Sequence, residues 1–205
     1  PDGSAFELGI GTGRVAIPLA KKGMTVSGID ASVAMVEKLR NKPTGDTIHV
    51  QIGDFAHFQS DRKYDVVYVV FNTFFGLLTQ EDQIDCFRCV QGILKEDGVF
   101  VIEAFFPDVT RFDKGQTIRT SDVTGDYVRM ECTVHDAINQ SARSQIVKLS
   151  KNGTELYPVS IRYAWPSEID LMARLTGMKL RERWGNWKKE KFTNSSGLHV
   201  SVYSK

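Results

Sequence analysis

The chain has 205 residues, of which 41% are apolar and 25% are charged, and its formal net charge is +1. This composition is ordinary for one soluble globular domain, and no apolar run approaches the roughly 20 residues of a membrane-spanning helix. The near-neutral charge argues against a protein whose main partner is a nucleic-acid backbone and favours a small-molecule partner.

The three cysteines are Cys86, Cys89 and Cys132, which do not form an even disulfide set. Their number favours a reducing, cytoplasmic compartment. Cys86 and Cys89 have C-x-x-C spacing, but they fall inside a helical pattern and no second pair lies at metal-binding distance. We therefore interpret them as packing residues and predict no metal site.

Strand and helix patterns alternate over the first half of the chain. Strands are predicted at residues 4–8, 25–29, 48–52, 64–71 and 99–105. Helices are predicted at residues 14–22, after an N-cap at Ser32, and after a capping box that begins at Thr79. The second helix should bury Met35, Val36 and Leu39, and the third should end at Asp97-Gly98. This order implies a parallel sheet with right-handed crossovers, and the run at 64–71 is typical of a central strand buried on both faces.

The second half of the chain has a different pattern. Half-polar strands at 128–134, 144–149 and 159–164, with a turn at Asn152-Gly153, predict an antiparallel insert. A helix over 166–176 and a strand pair at 178–184 and 199–203 follow. We therefore predict a single Rossmann-like, doubly wound α/β domain: a core at 1–110, an antiparallel β insert after the fifth strand at 115–164, and a return to the core sheet at 165–205.

The first predicted strand runs into the loop that carries Glu7, Gly9, Gly11 and Gly13. Alternating glycines allow a tight turn and bring bare backbone against a ligand. The dinucleotide fingerprint G-x-G-x-x-G would need its third glycine at Arg14, so it does not match. Asp30, at the end of the second strand, is placed to accept hydrogen bonds from ribose hydroxyls.

Two further segments follow strands at the same predicted edge of the sheet. Gly53-Asp54-Phe55 follows the third strand, where an acid can bind an exocyclic amine and an aromatic ring can pack on a purine. The segment that begins at Phe71 and Asn72 follows the fourth strand and projects into the crevice where ligands of open α/β sheets bind.

These motifs, together with Asp30-Ala31-Ser32-x-x-Met35 and the strand Tyr64-Asp65-Val66-Val67, resemble in order those of the class I S-adenosylmethionine-dependent methyltransferases. The resemblance implies a cofactor methionine on the glycine loop, a ribose on Asp30, and an adenine between Met35, Asp54 and Phe55. The expected cofactor contacts are Glu7, Gly9, Gly11, Gly13, Asp30, Ala31, Met35, Gly53, Asp54, Phe55 and Phe71. The expected acceptor contacts are Asn72, Thr73, Phe75 and Phe106.

The remainder resembles the deoxyaminosugar N,N-dimethyltransferases and their small-molecule relatives, in which an antiparallel layer covers the active site and often pairs subunits. The resemblance therefore implies a possible homodimer through the insert. One strand of the insert places Val128, Met130, Cys132 and Val134 on one face, which should pack over the crevice, against a second subunit, or both. Full-length relatives also carry helices before the first strand; we expect these lid helices to be missing here, and the chain to hold its cofactor poorly in consequence.

The predicted activity is methyl transfer from S-adenosylmethionine to a small molecule, with an amine nitrogen as the favoured acceptor because a neutral amine needs no strong base. No histidine has a pattern that assigns a catalytic base. The Asn-Pro-Pro-aromatic motif of methyltransferases acting on adenine or glutamine is absent from the sequence. Two alternatives are a nicotinamide-dependent oxidoreductase or epimerase, which the missing third glycine disfavours, and a non-catalytic cofactor-binding scaffold.

Overall fold

The computed structural model describes residues 3–205, which form two compact units. The first unit comprises the described residues up to Phe74, with Thr79–Phe106 and Pro166–Lys205. The second comprises Phe75–Leu78 and Pro107–Trp165. Within the described part of the chain, no helix is long and apolar enough to cross a bilayer.

The first unit contains seven strands and four helices. The strands are β1 (Ser4–Leu8), β2 (Thr25–Asp30), β3 (His49–Ile52), β4 (Tyr64–Val69), β5 (Leu94–Phe105), β10 (Lys179–Trp184) and β11 (Leu198–Ser204). The helices are α1 (Ala16–Lys21), α2 (Val33–Arg40), α3 (Gln80–Ile93) and α4 (Pro166–Leu175). The sheet order is β10-β11-β5-β4-β1-β2-β3, and only the β10 and β11 pairings are antiparallel. The predicted Rossmann-like, mostly parallel sheet is confirmed.

Helices cover both faces of this sheet. Val101 of β5 packs against the same apolar cluster as Leu19 of α1, whereas its neighbour Phe100 packs edge-to-face on Phe87 of α3. Successive residues of a strand point to opposite faces, so α1 and α3 lie on opposite sides. Because β1 to β4 are parallel, their carboxyl ends meet at one edge of the sheet, where the glycine loop, Asp30, Gly53 and Asn72 follow or end the strands.

Three predictions within this unit are wrong in detail. Helix α3 ends at Ile93 rather than at Asp97-Gly98, because β5 already begins at Leu94 and pairs with β4 across a register shift. Strand β4 stops at Val69 rather than at Phe71. Met35 is 42% exposed rather than buried, although Ser32 caps α2 as predicted by accepting a hydrogen bond from the Met35 N–H.

The second unit contains an antiparallel sheet of four strands in the order β6-β7-β8-β9. Its strands are β6 (Gln116–Val123), β7 (Tyr127–Asp136), β8 (Ser141–Ser150) and β9 (Gly153–Arg162). The predicted antiparallel insert is confirmed, and its strands are longer than the predicted ones. Ser150 pairs with Gly153, so the tight turn consists of Lys151 and Asn152, one residue earlier than predicted.

The two faces of this second sheet differ in chemistry. One face carries Glu131, Thr133 and Ser144, which hydrogen-bond one another through their side chains. The strand registers place exposed apolar side chains on the opposite face. These are Ile118 (72% exposed), Val123 (68%), Leu156 (60%), Val134 (49%) and Leu149 (41%).

Candidate cofactor site

The glycine loop after β1 requires glycine for both conformation and space. Gly9, Gly11 and Gly13 have φ values of 68°, 53° and 76°, in the left-handed region that side chains disfavour. A Cβ atom on Gly9 would lie 2.4 Å from the methyl group of Thr73, and one on Gly11 would lie 2.9 Å from Cε of Met35. The loop backbone is therefore bare and closely bordered by two of the predicted site residues.

Asp30 fixes this loop to the end of β2. One carboxylate oxygen accepts the N–H of Gly11 at 2.7 Å and the other accepts the N–H of Ser32 at 2.8 Å. The N–H groups of Gly9 and Ile10 also donate to the carbonyl of Ile29. A carboxylate oxygen can accept more than one hydrogen bond, so Asp30 keeps capacity for ligand hydroxyls while it orders the loop.

Glu7 is a buried acid directly beneath the glycine loop, with 4% of its surface exposed. Its Oε2 accepts a hydrogen bond from the hydroxyl of Tyr68 at 2.9 Å. Burial raises the pKa of Glu7 to about 7, against the opposing effects of the Tyr68 hydroxyl, the Ala16 backbone N–H and the charge of Arg14. A nearby cation would be the natural partner of such an acid, because it would restore the ionised form.

The end of β4 has a strained backbone held by β5. Phe71 and Asn72 are consecutive non-glycine residues with φ of 56° and 63°. The Phe71 N–H donates to Glu103, and the Asn72 side-chain oxygen accepts the N–H of Phe105 at 2.7 Å. Strain of this kind concentrates at binding sites. The oxygen of Asn72 is thus used internally, which leaves the N–H groups of its amide as donors.

Apolar side chains are exposed around the same edge of the sheet. Met35, Ile52 and Phe71 are 42–48% exposed and follow or end β2, β3 and β4. The guanidinium of Arg14 stacks on the ring of Phe71 at 3.6 Å from its centroid. Exposed apolar groups that cluster at a ligand-binding edge can pack against the flat surface of a base.

The remaining predicted site residues differ in their exposure and in the unit to which they belong. Ala31 is exposed, Gly53 and Phe55 are half-buried, and Asp54 accepts the N–H of Ala56 with one oxygen. Phe106 stacks edge-to-face on Phe192. Phe75 is fully buried and belongs to the second unit.

Sequence reasoning missed three residues that shape this edge, namely Arg14, Tyr68 and Glu103. The signal for Tyr68 was available, since a tyrosine within a buried strand needs a partner for its hydroxyl. Glu103 and Arg14 act through contacts with Phe71 that local sequence does not encode.

Comparison with known proteins identifies the family. A methyltransferase-domain family model matches residues 5–98. The solved CcbJ methyltransferase from Streptomyces caelestis is 38% identical, with a TM-score of 0.93 over 98% of this chain and 83% of that protein. The chain belongs to the class I S-adenosylmethionine-dependent methyltransferases. The predicted family is thus confirmed, and the nicotinamide-dependent alternative is set aside.

Two further relatives of this methyltransferase are more distant. An uncharacterized methyltransferase of Geobacillus sp. (strain WCH70) is 31% identical over 110 residues, which cover 53% of this chain and 51% of that protein. The chain therefore spans about half the length of that curated relative. CalS10, an amino pentose methyltransferase from Micromonospora echinaspora, shares the fold at 19% identity, with a TM-score of 0.73 over 98% of this chain and 83% of that protein.

S-adenosylmethionine is the cofactor of this methyltransferase, and the residues of the site fit it. The cofactor carries a ribose, a base and two cationic groups. Asp30 supplies a carboxylate fixed beside bare backbone, and Glu7 supplies a buried acid beneath the same loop. Both features suit a cationic nucleoside better than a pyrophosphate, which would meet two acids.

Proposed function

We propose that this chain transfers the methyl group of S-adenosylmethionine to a small-molecule acceptor, at an amine nitrogen. The observation that carries the proposal is the pair of acids, Glu7 and Asp30, fixed at a glycine loop whose edge is lined by exposed apolar side chains. The fold is shared with CalS10, whose name records an amino pentose substrate; at 19% identity this is an analogy of fold.

When bound, the cofactor would supply an electrophilic methyl group on its sulfonium: the amine nitrogen would form the new N–C bond in line as the C–S bond breaks, S-adenosylhomocysteine would leave as a neutral thioether, and the methylated amine would release its proton to solvent. The protein's contribution is to bind and orient. Gly9 and Gly11 offer backbone without side chains, Asp30 would accept hydrogen bonds from the ribose, and Glu7 would pair with the ammonium group. Phe71, held by Glu103 and Arg14, excludes water from one side of the edge. Positioning of this kind accounts for several kcal/mol of a displacement barrier, about 7–11 in favourable cases.

The proposal is tested by calorimetry followed by a methyl-transfer assay. S-adenosylhomocysteine should bind and NAD should not. A radiolabelled methyl group should then pass to small amines in preference to phenols. Cofactor binding without transfer to any acceptor would favour the non-catalytic scaffold, and transfer to phenols alone would contradict the amine assignment.

We further propose that the insert pairs two copies of the chain through its apolar face. Five apolar side chains on that face are 41–72% exposed, and contiguous apolar patches on a protein surface mark association sites. In light scattering, the wild-type protein should be a dimer and Ile118→Lys should be a monomer. Val159→Lys is the matched control, since Val159 is also exposed but lies on the other face of the same sheet. Equal effects of both substitutions, or a monomeric wild type, would contradict the proposal.

A further inference from the structure

Tyr68 on β4 is paired with Glu7 on β1. The two residues are register partners on the adjacent parallel strands β1 and β4, so their side chains lie on the same face. The Tyr68 hydroxyl donates to Oε2 of Glu7 at 2.9 Å, and the two side chains are 5% and 4% exposed. Water therefore competes little for this hydrogen bond.

The surroundings of Tyr68 give its hydroxyl no other role. Its ring packs in an apolar cluster with Ala5 and Val70, against side chains that include Val15 and Val101. A phenylalanine would fill the same space. Among the described residues, the hydrogen-bond partner of the Tyr68 hydroxyl is Glu7. Burial, and after it the charge of Glu7, keeps the pKa of Tyr68 well above its usual range, so the hydroxyl remains a donor.

We propose that Tyr68 is a positioning residue for cofactor binding: its hydroxyl orients the Glu7 carboxylate for the ammonium group of S-adenosylmethionine. The inference rests on the proposed cofactor contact of Glu7. It adds that the orientation of the Glu7 carboxylate is set by Tyr68 on the neighbouring strand β4 rather than by the glycine loop.

Four groups face Glu7 from the elements packed around it. They are the Tyr68 hydroxyl on β4, the Ala16 N–H on α1, Arg14 in the loop and Asp30 at the end of β2. The first three lower the pKa of Glu7, whereas burial, which is the largest effect, and Asp30 raise it, with a net pKa of about 7. Glu7 is thus partly protonated near neutral pH in the free protein, and a bound cation must displace that proton.

Cofactor binding should therefore release a proton, and the Tyr68 hydroxyl sets the pH at which this occurs. Below the pKa of Glu7, the affinity should weaken by about tenfold per pH unit. We call this fall of affinity on acidification the acid limb of the profile. Without the hydroxyl the pKa of Glu7 rises further, so the acid limb moves to higher pH. The loss of affinity in Tyr68→Phe should shrink as the pH is raised.

The experiment is a calorimetric titration of S-adenosylmethionine between about pH 5.5 and about pH 7.5, below the titration of an α-amino group. Buffers of different ionisation heat count the protons released. Tyr68→Phe should bind more weakly and release more protons near neutrality. Glu7→Gln should lose the acid limb altogether, which tests the same mechanism if Tyr68→Phe does not fold. Tyr64→Phe is the matched control, because Tyr64 is a buried tyrosine of the same strand that contacts Phe6 rather than Glu7.

Equal weakening of Tyr68→Phe at every pH, or a profile identical to that of the wild type, would overturn the role of Tyr68 alone. An acid limb that persists in Glu7→Gln would overturn the role of Glu7 as the titrating group. Absence of binding by the wild-type protein at every pH would overturn the proposed cofactor site together with this inference.

Discussion

The two sheets of this methyltransferase bury their side chains in different ways. Strand β11 of the seven-stranded sheet has five consecutive buried residues, and the ring of Phe87 of α3 packs on its Tyr203. Along the four-stranded sheet, by contrast, the buried residues are few, namely Thr133, Ala142 and Arg162. The first sheet gains its stability from a packed interior. The second depends on the backbone hydrogen bonds between its strands, on its polar side-chain network and, in the proposed dimer, on the second copy that covers its apolar face.

The substitution with the largest expected effect on stability removes an aromatic ring from the core of the first unit. Phe87 is fully buried and meets the rings of Phe74, Phe100 and Tyr203 at centroid distances of 5.2–5.8 Å. Phe87→Ala should lower the free energy of unfolding by about 3–5 kcal/mol. Val159→Ala, at an exposed position on the other face of the insert's sheet, should change it by no more than about 0.5 kcal/mol. Urea titrations measure both values, and comparable losses would show that the insert has an interior of its own.

A second test uses two buried titratable groups of the first unit. Burial raises the pKa of Glu7 from 4.5 to about 7, so its folded form binds more protons and stability falls as the pH rises across that window. Burial and Arg183 lower the pKa of His199 from 6.5 to about 4, so stability falls as the pH drops across nearly the same window. The two effects oppose each other, each with a magnitude of about 3 kcal/mol.

Melting curves between pH 4 and pH 7 should therefore tilt in opposite directions in two variants. Glu7→Gln should lose stability on acidification, and His199→Gln should gain it. Glu155→Gln is the control from the insert: Lys148 lowers the pKa of Glu155, but this surface pair is screened by solvent and should leave the profile unchanged. Parallel profiles in all three variants would contradict the assignment of the titrating groups.

The smallest effect concerns ligand binding, and the chain offers a matched pair of aspartates. Asp30 accepts the N–H groups of Gly11 and Ser32, and Asp136 of the insert accepts those of Ile138 and Asn139. Asp30→Ala should weaken S-adenosylhomocysteine binding by about 1.5–3 kcal/mol, the value of a charge-assisted hydrogen bond. Asp136→Ala should leave the affinity unchanged. A folded Asp30→Ala protein with wild-type affinity would remove Asp30 from the site.

Local sequence was sufficient where a structural signal lies within a few residues. The Ser32 cap, the cap at Thr79 and the glycine loop all depend on neighbours in the chain, and all form as predicted. The parallel pairing of β1 to β5 likewise agrees with the prediction made from the alternation of strands and helices.

Elements that depend on distant contacts were not predicted. Asp97-Gly98 has the sequence of a helix end, yet it lies within β5, where a Cβ on Gly98 would meet the carbonyl oxygen of Tyr64 at 2.8 Å. The left-handed turn at Phe71 and Asn72 is held by groups more than thirty residues away. The partnership of Glu7 with Tyr68 likewise needs the strand register, which only the folded sheet supplies.

The outer strands of the insert also bear on how the protein behaves when it is concentrated. Strands β6 and β9 are long, exposed edges that could extend into a continuous ribbon with other molecules. Two features blunt them: the register of β6 slips between Thr120 and Asp122, and Pro158 interrupts the row of donors along β9. A proline persists in an outer strand only where its missing N–H faces away from the neighbouring strand. Edge-to-edge growth of a fibre is thereby discouraged, so the exposed edges of the insert offer a poor template for aggregation.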